Sequence, residues 1–216
     1  MVSDNQVIGL FPTPFMRIEK LLAPELVAAL AGRAICQTPV ANARSAALSH
    51  SVMQHPANDE LLSAVAERLT PCVADFGELL FGERLIWHIK DMWLNALQTG
   101  GHQAVHNHAN CFVSGVLYLT ASHPSAHTVF IKSLGGRDFA FSNAHRGTSQ
   151  GPFNADKWVA PPPSPGDVIL FPSYLLHEVP ENTGPLRLSL AFNAVPTRLD
   201  AWGYAIGFND QKTLSP

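Results

Sequence analysis

The sequence predicts an α+β fold, with helices packed on one face of a β sandwich or barrel. Helical periodicity is confined to the part of the chain before Gly82, strand-like segments follow it, and turn sequences separate those segments. A chain of 216 residues suits one domain with a sizeable core. Hydrophobic residues make up 46% and charged residues 14%, so there is ample apolar surface to bury and disorder is excluded as the main state.

Residues 7–15 read as a short strand interrupted by Pro12 and Pro14, which suits a sheet edge. Residues 24–36 read as a helix, with Pro24 in the first turn and then Leu26, Val27, Leu30 and Ile35 among alanines. Asn58 is expected to cap a second helix, with Asp59 and Glu60 in its first turn, where carboxylates complement the helix dipole. Leu61, Leu62, Val65 and Leu69 fall on one side of that helix. Pro71 should kink or break it, with helix resuming to about Leu80.

Beyond Gly82, residues 85–97, 111–119, 128–132, 167–171 and 186–195 are β-type runs rich in Val, Ile, Leu and Phe. Turn material lies between them at 99–101, 135–136, 161–163, 165–166 and 183–185. Residues 135–165 are polar and proline-rich, either a flap over a site or an irregular loop. No internal repeat is present.

The formal charge is −3, without runs of like charge, which gives no basis for a nucleic-acid or membrane surface as partner. A pocket for a small molecule or peptide is the expectation instead. Cys36, Cys72 and Cys111 form no CxxC pair and read as reduced thiols. The first fifteen residues carry Asp4 and two prolines rather than the basic start and apolar run of a signal peptide, and no stretch is long and apolar enough to span a bilayer. The expected location is the cytoplasm.

The chemistry concentrates in His102-Gln-Ala-Val-His106-Asn-His108-Ala-Asn110, which runs straight into an apolar strand. On extended backbone, residues two apart share a face, so His106 and His108 can converge on one first-row divalent ion. An HxH pair alone is equally compatible with polar loop histidines. A second segment adds weight: Pro165-Gly-Asp-Val-Ile-Leu-Phe-Pro-Ser-Tyr-Leu-Leu-His177, followed ten residues later by Arg187-Leu-Ser189-Leu-Ala-Phe-Asn193. Arg187 and Ser189 also share a face. An arginine pointing into a small barrel needs an anion, since an unpaired buried guanidinium is very unfavourable. Its planar fork matches a carboxylate, to which Ser189 can also donate. An internal pair with Asp167 is the competing account.

An HxH before a strand, a distal histidine and an RxS ten residues on together resemble the 2-oxoglutarate/Fe(II)-dependent oxygenases. The nearest likeness is a bacterial and phage subgroup with H-x-H-x-x-x-x-x-SG-x-x-Y-L and G-D-x-x-x-F-P-x-x-x-x-H. The match runs from about Trp93 to Pro196, roughly half the chain, and residues 10–15 fit it as well. The resemblance implies a double-stranded β-helix (jelly-roll, cupin-like) barrel with the N-terminal helices packed on one face. Residues 1–216 would then be a single oxygenase domain, helical at about 20–82 and barrel at about 85–196.

Carried over by position, His106 and His177 become Fe(II) ligands. Arg187, helped by Ser189, grips the distal carboxylate of the co-substrate 2-oxoglutarate, and Tyr118 donates to the same group. The resemblance also implies the reaction, oxidative decarboxylation of 2-oxoglutarate coupled to hydroxylation of a C–H bond. The usual third ligand is a carboxylate two residues after the first histidine, and here that position is His108. Its imidazole completing a three-histidine face is the favoured reading, with Asn110 and His102 as the other candidates.

Trp87, Trp93 and Phe112 are candidates to line the substrate side. His88, His123, His127 and His145 are expected at the surface or in loops. Two other functions fit part of the pattern: a three-histidine cupin-like dioxygenase that uses no oxo-acid, and a non-catalytic metal- or ligand-binding barrel acting as a sensor. Neither gives a reason for Arg187 and Ser189.

Overall fold

Strand β11 (Arg187–Pro196) runs through the middle of the fold, and all ten of its residues are buried. It belongs to a computed structural model that describes residues 8–133, 143 and 145–208. The other elements are β1 (Met16–Ile18), α1 (Pro24–Cys36), β2 (Val40–Ala41), β3 (Leu48–His50), α2 (Glu60–Phe81), β4 (Trp87–Leu97), β5 (Gln103–His106) and β6 (Val113–Tyr118). They continue with β7 (Val129–Ile131), β8 (Lys157–Val159), β9 (Val168–Pro172), β10 (Leu176–Val179), β12 (Arg198–Ala201) and β13 (Tyr204–Gly207).

Every strand pair is antiparallel. A seven-stranded sheet has the order β1-β9-β6-β11-β4-β3-β2, and a four-stranded sheet the order β5-β10-β7-β8. Strands β12 and β13 form a separate hairpin. One cavity is lined from both larger sheets. The opposite face of the large sheet carries the helices: Leu30 and Ala34 of α1 and Leu62, Val65, Leu69, Val73 and Phe76 of α2 join Leu94, Leu117, Leu188, Leu190 and Phe192 in one apolar core. Fully burying each such side chain contributes roughly 1.5–3 kcal/mol, which clamps the helices to the sheet. Gly115 lies across from Phe192, and a Cβ there would stand 2.2 Å from the phenyl ring, so the close strand–ring approach requires glycine.

The α+β expectation holds, with corrections in detail. The first strand begins after Pro14 rather than at residue 7, which is outside the described residues. Among the described residues β1 does take the edge of the large sheet, pairing with β9. Asn58 belongs to a short 3₁₀ turn, and the cap of α2 is Asp59. One Asp59 carboxylate oxygen accepts from the Leu62 amide at 3.0 Å and the other pairs with Arg33 at 2.6 Å. The Arg33 bond is the chief reason that its carboxyl titrates below the usual range.

Pro71 does not break α2, which runs unbroken to Phe81. Pro71 and Glu67, whose carbonyl loses its partner to the missing N–H, both lie on the exposed side, where water can satisfy that oxygen. The buried stripe of Leu62, Val65, Leu69, Val73 and Phe76 continues across the proline and holds the helix together. Gly82, at φ 72°, ends it in the left-handed conformation that glycine tolerates. Within residues 135–165, residues 135–142 and 144, including the turn at 135–136, lie outside the described residues. The remainder includes β8, which extends the smaller sheet beyond β7. Among the described residues no helix is long and apolar enough to cross a membrane.

Candidate active site

The cavity has a volume of about 460 Å³ and is lined by residues of both sheets. From the smaller sheet come His106 on β5 and His177 on β10, which face each other directly across an antiparallel pair. From the large sheet come Arg187, Ser189, Ala191 and Asn193, alternate residues of β11, with Trp93 and Asn95 on β4 beside them. His108 follows β5, and its amide donates to the Ser173 carbonyl at 3.0 Å, which ties the loop to the turn before β10.

The side chains of His106, His108 and His177 offer ring nitrogens that all lie within 4.8 Å of one another. Their ring centroids are 4.2 Å apart for 106–177 and 5.2 Å for the other two pairs. Each ring has its Nδ1 engaged. Nδ1 of His106 donates to the Ala104 carbonyl at 2.8 Å, and Nδ1 of His177 to the Leu175 carbonyl at 2.9 Å. Nδ1 of His108 lies 2.7 Å from Asn193 Oδ1 and 2.9 Å from Ser114 Oγ. A carbonyl can only accept, so the proton of these rings sits on Nδ1 and the Nε2 lone pair is left to bind a cation. Burial pushes His177 down to about 3 and His108 down to about 4, and depresses His106 as well. All three rings are therefore neutral at pH 7, as metal ligation requires. Phe171 and Phe130 pack against the His177 ring and Trp93 against that of His108.

Arg187 is 5% exposed, and among the described residues it has no carboxylate partner. Its Nε donates to Ser122 Oγ at 3.1 Å, and its guanidinium lies 5.2 Å from the centre of the Tyr118 ring. Burial lowers its pKa from the ordinary arginine value. Asp167, the sequence-level candidate for its partner, belongs elsewhere: it pairs with Arg17 at 2.8 Å and accepts from the Lys20 and Ser164 amides. Tyr118 is buried beneath the guanidinium rather than lining the cavity, and its hydroxyl lies 3.0 Å from Thr128 Oγ1, which does line it.

His102 is not part of the imidazole cluster. Asn110 is exposed at the cavity rim, in a left-handed conformation with φ 59°. Of the aromatic candidates only Trp93 faces the cavity. Trp87 packs in the core over Gly77, and Phe112 stacks edge-on against Phe81 and Phe208. His123, His127 and His145 lie outside the strands as expected, whereas His88 is half-buried within β4. Sequence reasoning missed Asn193 and Ser114 as partners of His108. The period-two pattern that linked Arg187 to Ser189 extends to Asn193 on the same face of β11.

Solved structures similar to this one share its jelly-roll, double-stranded β-helix architecture. HygX from Streptomyces hygroscopicus, solved with nickel and 2-oxoglutarate, superposes with a TM-score of 0.61 at 16% identity, over 86% of this chain and 84% of that one. A prolyl-4-hydroxylase from Pseudomonas putida gives 0.60 at 17%, over 85% and 93%. At such identities the likeness speaks for the fold. Residues 91–193 match the model of the family described as "Putative 2OG-Fe(II) oxygenase". The matched span, just under half of the chain, is thus similar to the 2-oxoglutarate/Fe(II) oxygenases. No curated protein matches the chain. The matched span begins at Asp91 on β4 and ends at Asn193 on β11, so it contains the imidazole cluster together with Arg187 and Ser189.

Proposed function

We propose that this protein is a 2-oxoglutarate/Fe(II) oxygenase that holds Fe(II) through Nε2 of His106, His108 and His177, and grips the distal carboxylate of 2-oxoglutarate through Arg187 and Ser189. One observation carries the reading: a cluster of neutral imidazoles, each fixed at Nδ1, shares a cavity with a buried guanidinium that has no carboxylate partner among the described residues. The donor set fits the metal, since imidazole suits first-row divalent ions and a face of three ligands leaves positions for a bidentate oxo-acid and O2. When bound, iron and 2-oxoglutarate supply the oxidising chemistry, which we read as hydroxylation of a substrate C–H bond.

The chain's own residues do the rest. The three tied rings hold their donors in place, and the absence of a carboxylate among them leaves the centre one charge more positive than the common His/Asp/His arrangement. Arg187, itself buried, offers its fork to a carboxylate in the cavity, with Ser189 beside it. The Tyr118 ring supports the guanidinium from below, and its hydroxyl holds Thr128 Oγ1, a cavity-lining group that can bond to the same carboxylate. Phe130, Phe171 and Trp93 keep water away from the imidazoles.

The cupin-like and sensor readings leave Arg187 unexplained. We further read residues 1–216 as a single oxygenase domain whose helices back the barrel, working in the cytoplasm on a small-molecule or peptide substrate. HygX is known in complex with hygromycin B, which supports the small-molecule side. The test is succinate production from 2-oxoglutarate with Fe(II) under air. Production that stops in Arg187→Ala, with metal still bound, supports the assignment; oxygen uptake independent of 2-oxoglutarate contradicts it.

A further inference from the structure

The three imidazoles are not held alike. His106 and His177 are each fixed by a main-chain carbonyl two residues back on their own strand, Ala104 and Leu175. No substitution of a side chain removes those partners. His108, at the position where a carboxylate is usual, is instead held by two side chains of the large sheet. Asn193 on β11 and Ser114 on β6 are direct cross-strand neighbours, both buried. Ser114 Oγ donates to Asn193 Oδ1 at 2.9 Å, and the two oxygens together face His108 Nδ1. With its proton committed to Asn193, the serine hydroxyl can only accept from the ring, as can the amide oxygen. Both partners thus demand a proton on Nδ1.

We propose that Asn193 and Ser114 are the positioning residues that make position 108 an imidazole donor, by locking the tautomer of His108 and aiming its Nε2 at the metal. The inference rests on the three-histidine centre proposed above. A neutral amide in this place holds the ring without returning the negative charge that the missing carboxylate would have supplied. The reverse amide orientation, with the Asn193 nitrogen donating to Nδ1, would put the ring proton on Nε2 and remove His108 from the ligand set.

The experiment uses the full chain and Co(II), whose visible d–d bands report the donor set, together with a competition measurement of affinity and a thermal melt of each metal-free variant. Asn193→Leu and Asn193→Ala remove the acceptor, and we expect Co(II) affinity to fall about 10- to 100-fold with altered d–d bands. Asn193→Asp keeps the acceptor and adds charge, and is expected to restore affinity to the wild-type level or above. Ser114→Ala should give a smaller loss.

Wild-type affinity and spectrum in Asn193→Ala, or a loss of binding in Asn193→Asp as large as that in Asn193→Ala, overturns the inference. A lowered melting temperature with unchanged Co(II) affinity and spectrum overturns it as well, because the role is then only structural. His108→Ala separates the two levels. If it binds Co(II) as tightly as wild type, the three-histidine centre fails, and the positioning role fails with it. If it weakens binding while the Asn193 variants do not, only the positioning role fails.

Discussion

The two faces of β11 are built from alternate residues of one strand and obey different rules. Leu188, Leu190, Phe192 and Ala194 point into the apolar core beneath the helices, while Arg187, Ser189, Ala191 and Asn193 line the cavity. Both faces are equally buried, so burial alone does not separate structure from function. What separates them is polarity without internal neutralisation. The core face has nothing left to satisfy, whereas the cavity face presents a guanidinium and a hydroxyl to space that a dicarboxylate would fill. Such a face costs stability in the unliganded protein and is expected where a ligand completes the site.

The comparison can be broken from either side. The largest expected effect is on the core face: Phe192→Ala should cost about 3–5 kcal/mol of folding stability, because the ring fills the space over Gly115. Chemical denaturation checks this, and the folded fraction should still bind Co(II). On the cavity face, Arg187→Ala should weaken 2-oxoglutarate by about 100-fold or more while shifting the melting temperature little or even upward. Calorimetric titration of 2-oxoglutarate alongside a melt would read both. A large loss of stability in Arg187→Ala would mean that the arginine is structural and the contrast between the faces is false.

A third effect follows from the imidazoles. His177 and His108 have folded-state values of about 3 and about 4, against an ordinary 6.5 that also describes the unfolded chain. Between those limits the unfolded state binds more protons, so stability is fully present above about pH 6.5 and declines as the pH falls. The metal-free protein should therefore melt lower at pH 5 than at pH 7, by on the order of 5 °C, and His177→Phe should flatten that dependence. The smallest effect belongs to Ser189→Ala, about 10-fold in KM for 2-oxoglutarate with kcat nearly unchanged, the low end for one hydrogen bond to a carboxylate.

The fold was legible where periodicity and chemistry agreed. The α1 pattern of Leu26, Val27 and Leu30 gave its bounds, and the apolar runs gave β4, β6, β7, β9 and β11 to within a few residues. It was not legible where tertiary packing overrode local preference. Pro71 is tolerated because the freed carbonyl faces water while the buried stripe of α2 continues past it. Short strands such as β2, β3 and β8 carry too few residues for a period to show.

At the site, spacing alone related Arg187 to Ser189 and His106 to His108, because strand alternation is a local rule. The bond from His108 to Asn193 joins the loop after β5 to a strand far away in sequence, and only the tertiary fold brings them together. Asp167 illustrates the converse. It was an available partner for Arg187 by composition, but the edge strand β1 brings Arg17 to it first.

The most direct test is an anaerobic titration of the Fe(II)-loaded protein with 2-oxoglutarate, watched in the visible range. Chelation of the oxo-acid beside an arginine-held carboxylate predicts a metal-to-ligand charge-transfer band that saturates with one equivalent and is absent in Arg187→Ala at the same concentration. A wild-type protein that binds iron yet never develops the band, or an Arg187→Ala variant that develops it at wild-type concentrations, would contradict the account.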